Sequence, residues 1–469
     1  MALEVAPRQQ MPTLPLDQRK TTFSELYLGF SEDMAVAEAK RCIQCKKPQC
    51  MIKGCPLHNR IPEWIALAKD RKFMEAAALT RTTSSMPEIC SRVCPQDRLC
   101  EGSCALGIKN EAVAIGAIER FVNDYAGEHG EIAIPVGAAT GKKVAIVGAG
   151  PAGMAAAEQL RQMGHEAVMY DSMEEPGGLL RYGLPAFKIS NALVAHRWRL
   201  LESAGVKFIG GKTLGKNLGM DELLNGNYDA VFLGIGTWTP MIPRLPGVDS
   251  PNVIEALKYL RDGPKGIPAA GKTVVTVGGG DTAMDCARTA IRRGAAKSMI
   301  AYRRDEANMP GSKKEVKAAK LEGVEFNFLM SPLQITPDGG KLCIKYQRME
   351  LGEPDAEGRR SPKPVAGSEF EEPADMAVIA FGYKLDAKWA AEVAKVELDK
   401  YGNILVNPET GATTRVGVFS GGDCTLGADL AVRAVACGRR AAAGINRFLT
   451  EKNWAALAPT GASPAGAVK

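Results

Sequence analysis

The stretch KKVAIVGAGPAGMAAAEQLRQMGHEAVMYD, residues 142–171, decides the fold. An apolar run predicts a buried strand. Gly148, Gly150 and Gly153 follow in G-x-G-x-x-G spacing, an Ala-rich run predicts a helix, and a second strand ends at Asp171, 23 positions after Gly148. Each part has a task in a nucleotide-binding βαβ unit. Gly148 permits the tight turn, Gly150 lets the backbone approach a pyrophosphate, and Gly153 lets helix pack on strand. The helix N-terminus offers free N–H groups and positive potential to phosphates. Asp171 is placed to accept hydrogen bonds from a ribose. The glycines alone would equally fit a structural turn; strand, helix and terminal acid together point to a dinucleotide.

The layout repeats in KTVVTVGGGDTAMDCARTAIRRGAAKSMIAYRRDE, residues 272–306. Gly278 and Gly280 take the first two glycine places, Ala283 takes the third, where the fingerprint tolerates it, and Asp281 lies between. At the end of the second strand, Arg303 and Arg304 stand where an acid would contact the ribose. An acid repels a 2′-phosphate, whereas a guanidinium grips one. This loop is therefore expected to take NADP(H). In the competing reading both arginines only decorate a solvated strand end, and the neighbouring Asp305 and Glu306 keep that reading open. Two dinucleotide folds in one chain suggest FAD facing a pyridine nucleotide, with Asp171 favouring FAD in the first.

Late in the chain VGVFSGGDC, residues 416–424, runs a strand into Gly421, Gly422 and Asp423, and a helix follows. This resembles the Gly-Asp motif of two-dinucleotide-domain flavin reductases, whose acid meets the ribityl chain. NYDAVFLGIGTW (227–238) and ADMAVIAFGYK (374–384) resemble that family's two crossings between nucleotide domains. The resemblance implies a discontinuous FAD domain, 142–260 and 370–455, with an NADPH domain, 261–369, inserted. Thioredoxin reductases share the layout but carry a redox Cys-x-x-Cys. Here Cys286, Cys343, Cys424 and Cys437 each stand alone and read as packing residues, so no dithiol product is expected.

Composition sets the limits. The 469 residues exceed one ordinary core; 45% apolar and 24% charged residues are those of a globular protein. A net charge of +6 without a basic block gives no reason to invoke nucleic acid. No secretory signal or bilayer-length apolar stretch is evident, so a cytoplasmic setting without membrane contact is expected. The four histidines, His58, His129, His165 and His196, are scattered, which argues against a His-based site. Residues 1–125 read as a small helical domain with an extended arm over about the first 22 residues, Ser31 as a helix N-cap, and two short helices within 61–82. Residues 126–141 read as a linker and 456–469 as a disordered tail.

Eight of the 12 cysteines crowd into that helical domain. Their spacings are C-x2-C-x4-C-x4-C-P (Cys42, Cys45, Cys50, Cys55) and C-x3-C-P-x4-C-x3-C (Cys90, Cys94, Cys100, Cys104). Short runs with a remote partner beside proline echo iron–sulfur binding, in which the last cysteine of a run can serve the other cluster. Two zinc sites would use as many sulfurs. In a reducing compartment disulfides come third. Beside a flavin reductase zinc would only staple, whereas clusters give electrons an exit.

CIQCKKPQCMIKGCPLHNRIPEW, PEICSRVCPQDRLCEGSC and AVAIGAIERF, with both glycine loops, YRRDEANMP and GGD, resemble the small (beta) subunits of bacterial NADPH-dependent glutamate synthases over nearly the whole chain. The resemblance implies an α/β fold: two nested Rossmann-like dinucleotide-binding domains preceded by a small α-helical iron–sulfur domain. It implies FAD, NADPH and two 4Fe–4S clusters with crossed ligands. Cys42, Cys45, Cys50 and Cys104 would hold one; Cys55, Cys94, Cys100 and Glu119 would hold the other. Cys90 is then a spare thiol, or takes the place of Glu119, which would be left a solvated helix carboxylate. The partner implied is a large (alpha) subunit with FMN and its own iron–sulfur cluster, which makes L-glutamate from L-glutamine and 2-oxoglutarate. Hydride transfer between cofactors needs no catalytic side chain, and none is singled out. Two other readings stand beside this one: a related subunit serving ferredoxin or a pyrimidine reductase, and a zinc-stapled nucleotide-binding regulator without turnover.

Overall fold

A computed structural model describes residues 6–130, 132–354 and 360–459. Its N-terminal region is helical. Ser31 Oγ accepts the Met34 N–H at 3.3 Å and starts the helix Glu32–Ala39, as a short polar side chain ahead of a helix-forming run predicts. Helices Ile61–Lys69 and Phe73–Thr83 fill the stretch expected to hold two, and Pro87–Val93 and Ile115–His129 complete the bundle. Trp64, Ile65, Phe73 and Ile118 are buried in a core of its own. The helical domain expected to span 1–125 runs on to His129, because Ile115, Ile118, Val122 and Ala126 continue one apolar stripe of its last helix. The N-terminal arm, whose residues 1–5 lie outside the described residues, is not extended from residue 12 on. Residues 12–28 fold back as a hairpin: Leu14 N–H donates to Leu26 O at 3.0 Å and Leu28 N–H to Pro12 O at 2.9 Å.

Two five-stranded sheets follow, each wholly parallel. The first runs in the order Val418–Ser420, Ala230–Leu233, Lys143–Val147, Glu166–Tyr170, Lys207–Ile209. The second runs Val253–Glu255, Met376–Ile379, Thr273–Val277, Lys297–Tyr302, Glu325–Phe328. In both, the glycine loop leaves the C-terminal end of the central strand, where doubly wound sheets bind ligands. An antiparallel sheet, Met330–Asp338, Lys341–Pro354 and Arg360–Ala374, packs Ile335, Ile344 and Tyr346 onto Val275 and Ala377 of the second sheet. The chain passes between the two lobes at a short antiparallel ribbon, Thr239–Pro240 with Tyr383–Lys384; the second strand ends the anticipated crossing segment 374–384, and the first directly follows the segment 227–238.

The lobe edges differ from the expected 260/261 and 369/370. Val253–Glu255 pairs with Met376–Ile379, so the second sheet takes strands from both sides of those borders. At the far end, Leu457 is buried and its carbonyl accepts Thr410 Oγ1 at 2.7 Å. The start of the tail expected to be disordered from 456 is therefore packed, and residues 460–469 lie outside the described residues. Among the described residues no helix is long and apolar enough to cross a membrane.

Candidate functional site

The first glycine loop is shaped partly by the protein and partly for something else. Gly148 has φ +106°, and a Cβ there would lie 2.2 Å from Gly234 O. A Cβ on Gly153 would lie 1.9 Å from Gly148 O. Packing alone demands both glycines. Gly150 is different: a Cβ would meet nothing nearer than Gly178 Cα at 3.8 Å. Its bare backbone leaves open space at the N-terminus of helix Pro151–Gln162, which no side chain caps. Uncapped amides beside open space suit a phosphate.

Asp171 closes the loop from the next strand. Its Oδ2 accepts the Ala149 N–H at 2.7 Å and its Oδ1 the Met173 N–H at 2.9 Å. Oδ1 also accepts Ser172 Oγ at 3.5 Å, and Oδ2 keeps a lone pair for a ribose hydroxyl. The Gly-Asp motif arrives from far along the chain: Gly422, at φ +86°, sits where a Cβ would lie 2.9 Å from Ala152 of the first-loop helix. Burial lifts the carboxyl of Asp423 from 3.8 to about 7. Gly178 was missed in the sequence, although Pro-Gly-Gly after a strand was a signal; a Cβ there would stand 2.8 Å from Gly150 Cα.

The second loop repeats the pattern. A Cβ on Gly278 would lie 2.4 Å from Ala380 O, one on Gly280 would meet nothing within 4 Å, and Ala283 is buried. Asp281 Oδ1 accepts the Ser312 N–H at 2.8 Å, tying the loop to the next helix. The structure separates the two arginines. Arg303 is exposed and makes no hydrogen bond or ion pair among the described residues. Arg304 is buried and donates from Nε to Arg360 O at 3.0 Å. The nearby acids are engaged elsewhere: Asp305 Oδ1 accepts the Asn308 N–H at 3.0 Å, and Glu306 pairs with Lys320 at 2.7 Å.

The cysteines line two cavities. Cys42, Cys45, Cys50 and Cys104 surround one. Cys55, Cys90, Cys94, Cys100 and Glu119 surround another. Ile61 and Ile115 line both, so one thin apolar wall separates them. Val432, in the first turn of helix Ala431–Glu451 that follows the Gly-Asp motif, also lines the second cavity. Among the described residues no three His, Cys, Asp or Glu side chains gather closely enough for a single metal ion; the sulfurs surround space. Burial raises the thiols of Cys50 to about 12 and Cys55 to about 11. Burial, then Glu88, raises Glu119 to about 8. Asn59 was not foreseen. It donates from Nδ2 to Glu119 Oε1 and accepts from Trp64 Nε1, each at 3.2 Å, which orients the carboxylate. Cys90 also belongs to the core of the first nucleotide lobe, with Met86 and Ile89.

Comparison with known proteins agrees with this arrangement. Residues 19–131 match the family described as dihydropyrimidine dehydrogenase domain II, 4Fe-4S cluster, and residues 142–438 match the pyridine nucleotide-disulphide oxidoreductases. The small chain of glutamate synthase (NADPH) of Escherichia coli is 47% identical over 94% of this chain and 97% of its own. The putative oxidoreductase AegA of the same organism is 44% identical over 95% of this chain and 70% of its own. Among solved structures, FprA of Mycobacterium tuberculosis in complex with NADPH superposes with a TM-score of 0.55 at 19% identity, covering 68% of this chain and 87% of that one; this likeness speaks for the fold alone. With a relative this similar along nearly its whole length, an iron–sulfur domain in front and a dinucleotide oxidoreductase unit behind, the chain belongs to the family of the NADPH-dependent glutamate synthase small chains.

Proposed function

We propose that this chain is the electron-input subunit of a glutamate synthase. When bound, FAD would supply the hydride acceptor for NADPH, and two 4Fe–4S clusters would supply a one-electron path to a large subunit, with its own FMN and cluster, that makes L-glutamate from L-glutamine and 2-oxoglutarate. The observation that carries this reading is the succession of sites: glycine loop, Gly-Asp turn, the cavity touched by Val432, the wall of Ile61 and Ile115, and the outer cavity.

The residues fit the groups. Gly148, Gly150 and Gly153 cradle the flavin's pyrophosphate, Asp171 its ribose, and Gly422 with Asp423 its ribityl side. Gly278, Gly280, Asp281 and Ala283 form the NADPH loop, and Arg303 takes the 2′-phosphate. Cys42, Cys45, Cys50 and Cys104 form one cluster site; Cys55, Cys94, Cys100 and Glu119 form the other. Zinc fits less well: four sulfurs at a Zn–S distance of about 2.3 Å stand about 4 Å apart and leave no cavity between them. No side chain is assigned an acid or base role.

Anaerobic material should contain flavin, iron and acid-labile sulfide, and NADPH should bleach the flavin band. With the large subunit it should form glutamate. Iron-free protein, or a flavin band that NADPH leaves untouched, would sink the reading. The match to AegA along 95% of this chain favours a second reading, in which the same module serves another acceptor. Bleaching by NADPH without glutamate formation in the presence of the large subunit would select it.

A further inference from the structure

A buried charge network lies between the two nucleotide lobes, one helical turn past the second glycine loop. Lys188, in the loop 185–190 of the first lobe, donates from Nζ to Asp285 Oδ1 at 2.9 Å and stands 3.4 Å from Glu315 Oε2. Both acids belong to the second lobe. Asp285 is 2% exposed and sits in the helix Asp281–Arg292, whose N-terminus carries the second glycine loop. Arg288 pairs with Glu315 and Glu322, and Arg292 with Glu322 at 2.7 Å. Three cations thus face three anions. The ring of Phe187, fully buried, lies under Arg292 at 3.9 Å and Arg288 at 4.8 Å.

The N-terminal hairpin backs this junction. Leu26 N–H donates to Phe187 O at 3.1 Å, and Thr22 O accepts Arg292 Nε at 3.0 Å. Glu25 accepts the Ser190 N–H at 3.1 Å, and from the helical domain Arg92 and Arg120, each at 3.0 Å. One hairpin therefore grips all three parts of the molecule.

Elsewhere the lobes are joined covalently only by the two crossings at the short ribbon, a connection that permits rotation. A buried ion pair resists it, because separation strands charges in the interior. Hydride transfer tolerates little displacement: the reacting atoms must approach to about 3–3.5 Å, and about 1 Å of error can cost 100-fold. We infer that Lys188 is a positioning residue for hydride transfer: its buried pairs with Asp285 and Glu315 fix the second lobe against the first, and the hairpin 12–28 holds the junction closed. The inference rests on the hydride-transfer reading above.

The test uses the full chain carrying flavin and clusters, with Lys188→Met, Lys188→Arg and Asp285→Asn. Anaerobic stopped flow reads flavin bleaching at saturating NADPH. Titration with 2′,5′-ADP reads the second lobe alone. For Lys188→Met, bleaching should slow at least about tenfold, while 2′,5′-ADP affinity, flavin content and iron content stay within about twofold; Lys188→Arg should recover most of the rate. Asp285→Asn, nearly the same shape, should behave like Lys188→Met and replaces it if that protein does not fold. Bleaching within about twofold of wild type overturns the inference. So does slowing that follows lost flavin or lost 2′,5′-ADP affinity, which would make the pair part of the fold only. If NADPH fails to bleach the wild-type flavin, the parent reading falls instead.

Discussion

Replacing Arg303 and Arg304 one at a time should separate recognition from stability. Arg303 is exposed at the end of the strand Lys297–Tyr302, with Asp305 and Glu306 occupied by Asn308 and Lys320. Its charge is free for a 2′-phosphate. A charge-assisted hydrogen bond contributes about 1.5–3 kcal/mol, and tenfold in affinity corresponds to about 1.4 kcal/mol. Solvent screening at an exposed site favours the low end. Arg303→Ser should therefore raise the KM for NADPH about tenfold and change that for NADH less than about twofold, with the NADPH effect shrinking at high salt. Arg304 is 7% exposed and holds Arg360 O at 3.0 Å. Arg304→Ser leaves that carbonyl without its partner and should cost about 1–3 kcal/mol of stability, with little change in the NADPH-to-NADH ratio. Steady-state kinetics with both nucleotides, beside denaturant unfolding, decides. If Arg304→Ser shifts the ratio and Arg303→Ser does not, the assignment of the two side chains is wrong.

Other substitutions probe the remaining sites. Gly153→Ala places a methyl 1.9 Å from Gly148 O, so helix and strand must part; protein should be recovered with less flavin and about 1–3 kcal/mol less stable, and full flavin occupancy would contradict the packing argument. Cys104→Ser should remove one cluster, with about half of the iron, and spare the other; Cys100→Ser should do the converse, and identical residual spectra from the two variants would rule out the crossed grouping. Asp423, raised from 3.8 to about 7 by burial, binds its proton more tightly folded than unfolded, so its stabilising contribution is full below about pH 4 and lost as pH rises through about 7. Flavin-free wild type should therefore lose stability against Asp423→Asn across that window, by up to about 1.4 kcal/mol per pH unit; a difference that stays constant with pH would exclude the shift.

What the sequence disclosed depends on how local each requirement is. Gly148 and Gly153 are dictated by atoms of their own βαβ unit, so spacing alone reveals them. The strand Val253–Glu255 has three residues and gains its identity from Met376–Ile379, more than a hundred positions away; no local pattern marks it, and the lobe borders slipped accordingly. The two arginines follow each other in a bend just past the strand Lys297–Tyr302, and no sequence pattern told that Arg303 would be exposed and Arg304 buried.

The cysteines show the same limit from the other side. Spacing announces a cluster protein, but it cannot say that Cys104 joins Cys42 while Cys100 joins Cys55; the family resemblance supplied that grouping, and the folding of the helices brings Cys42, Cys45, Cys50 and Cys104 around one cavity and Cys55, Cys94, Cys100 and Glu119, together with Cys90, around the other. Lys188 had no motif at all. In sequence it is one lysine in a short loop, and its meaning comes from Asp285 and Glu315, brought together by the docking of two lobes. Chemistry fixed by a cofactor's shape leaves a local signature. The placement of one cofactor against another is a property of interfaces, and its determinants are sought where charges of opposite sign are buried between domains.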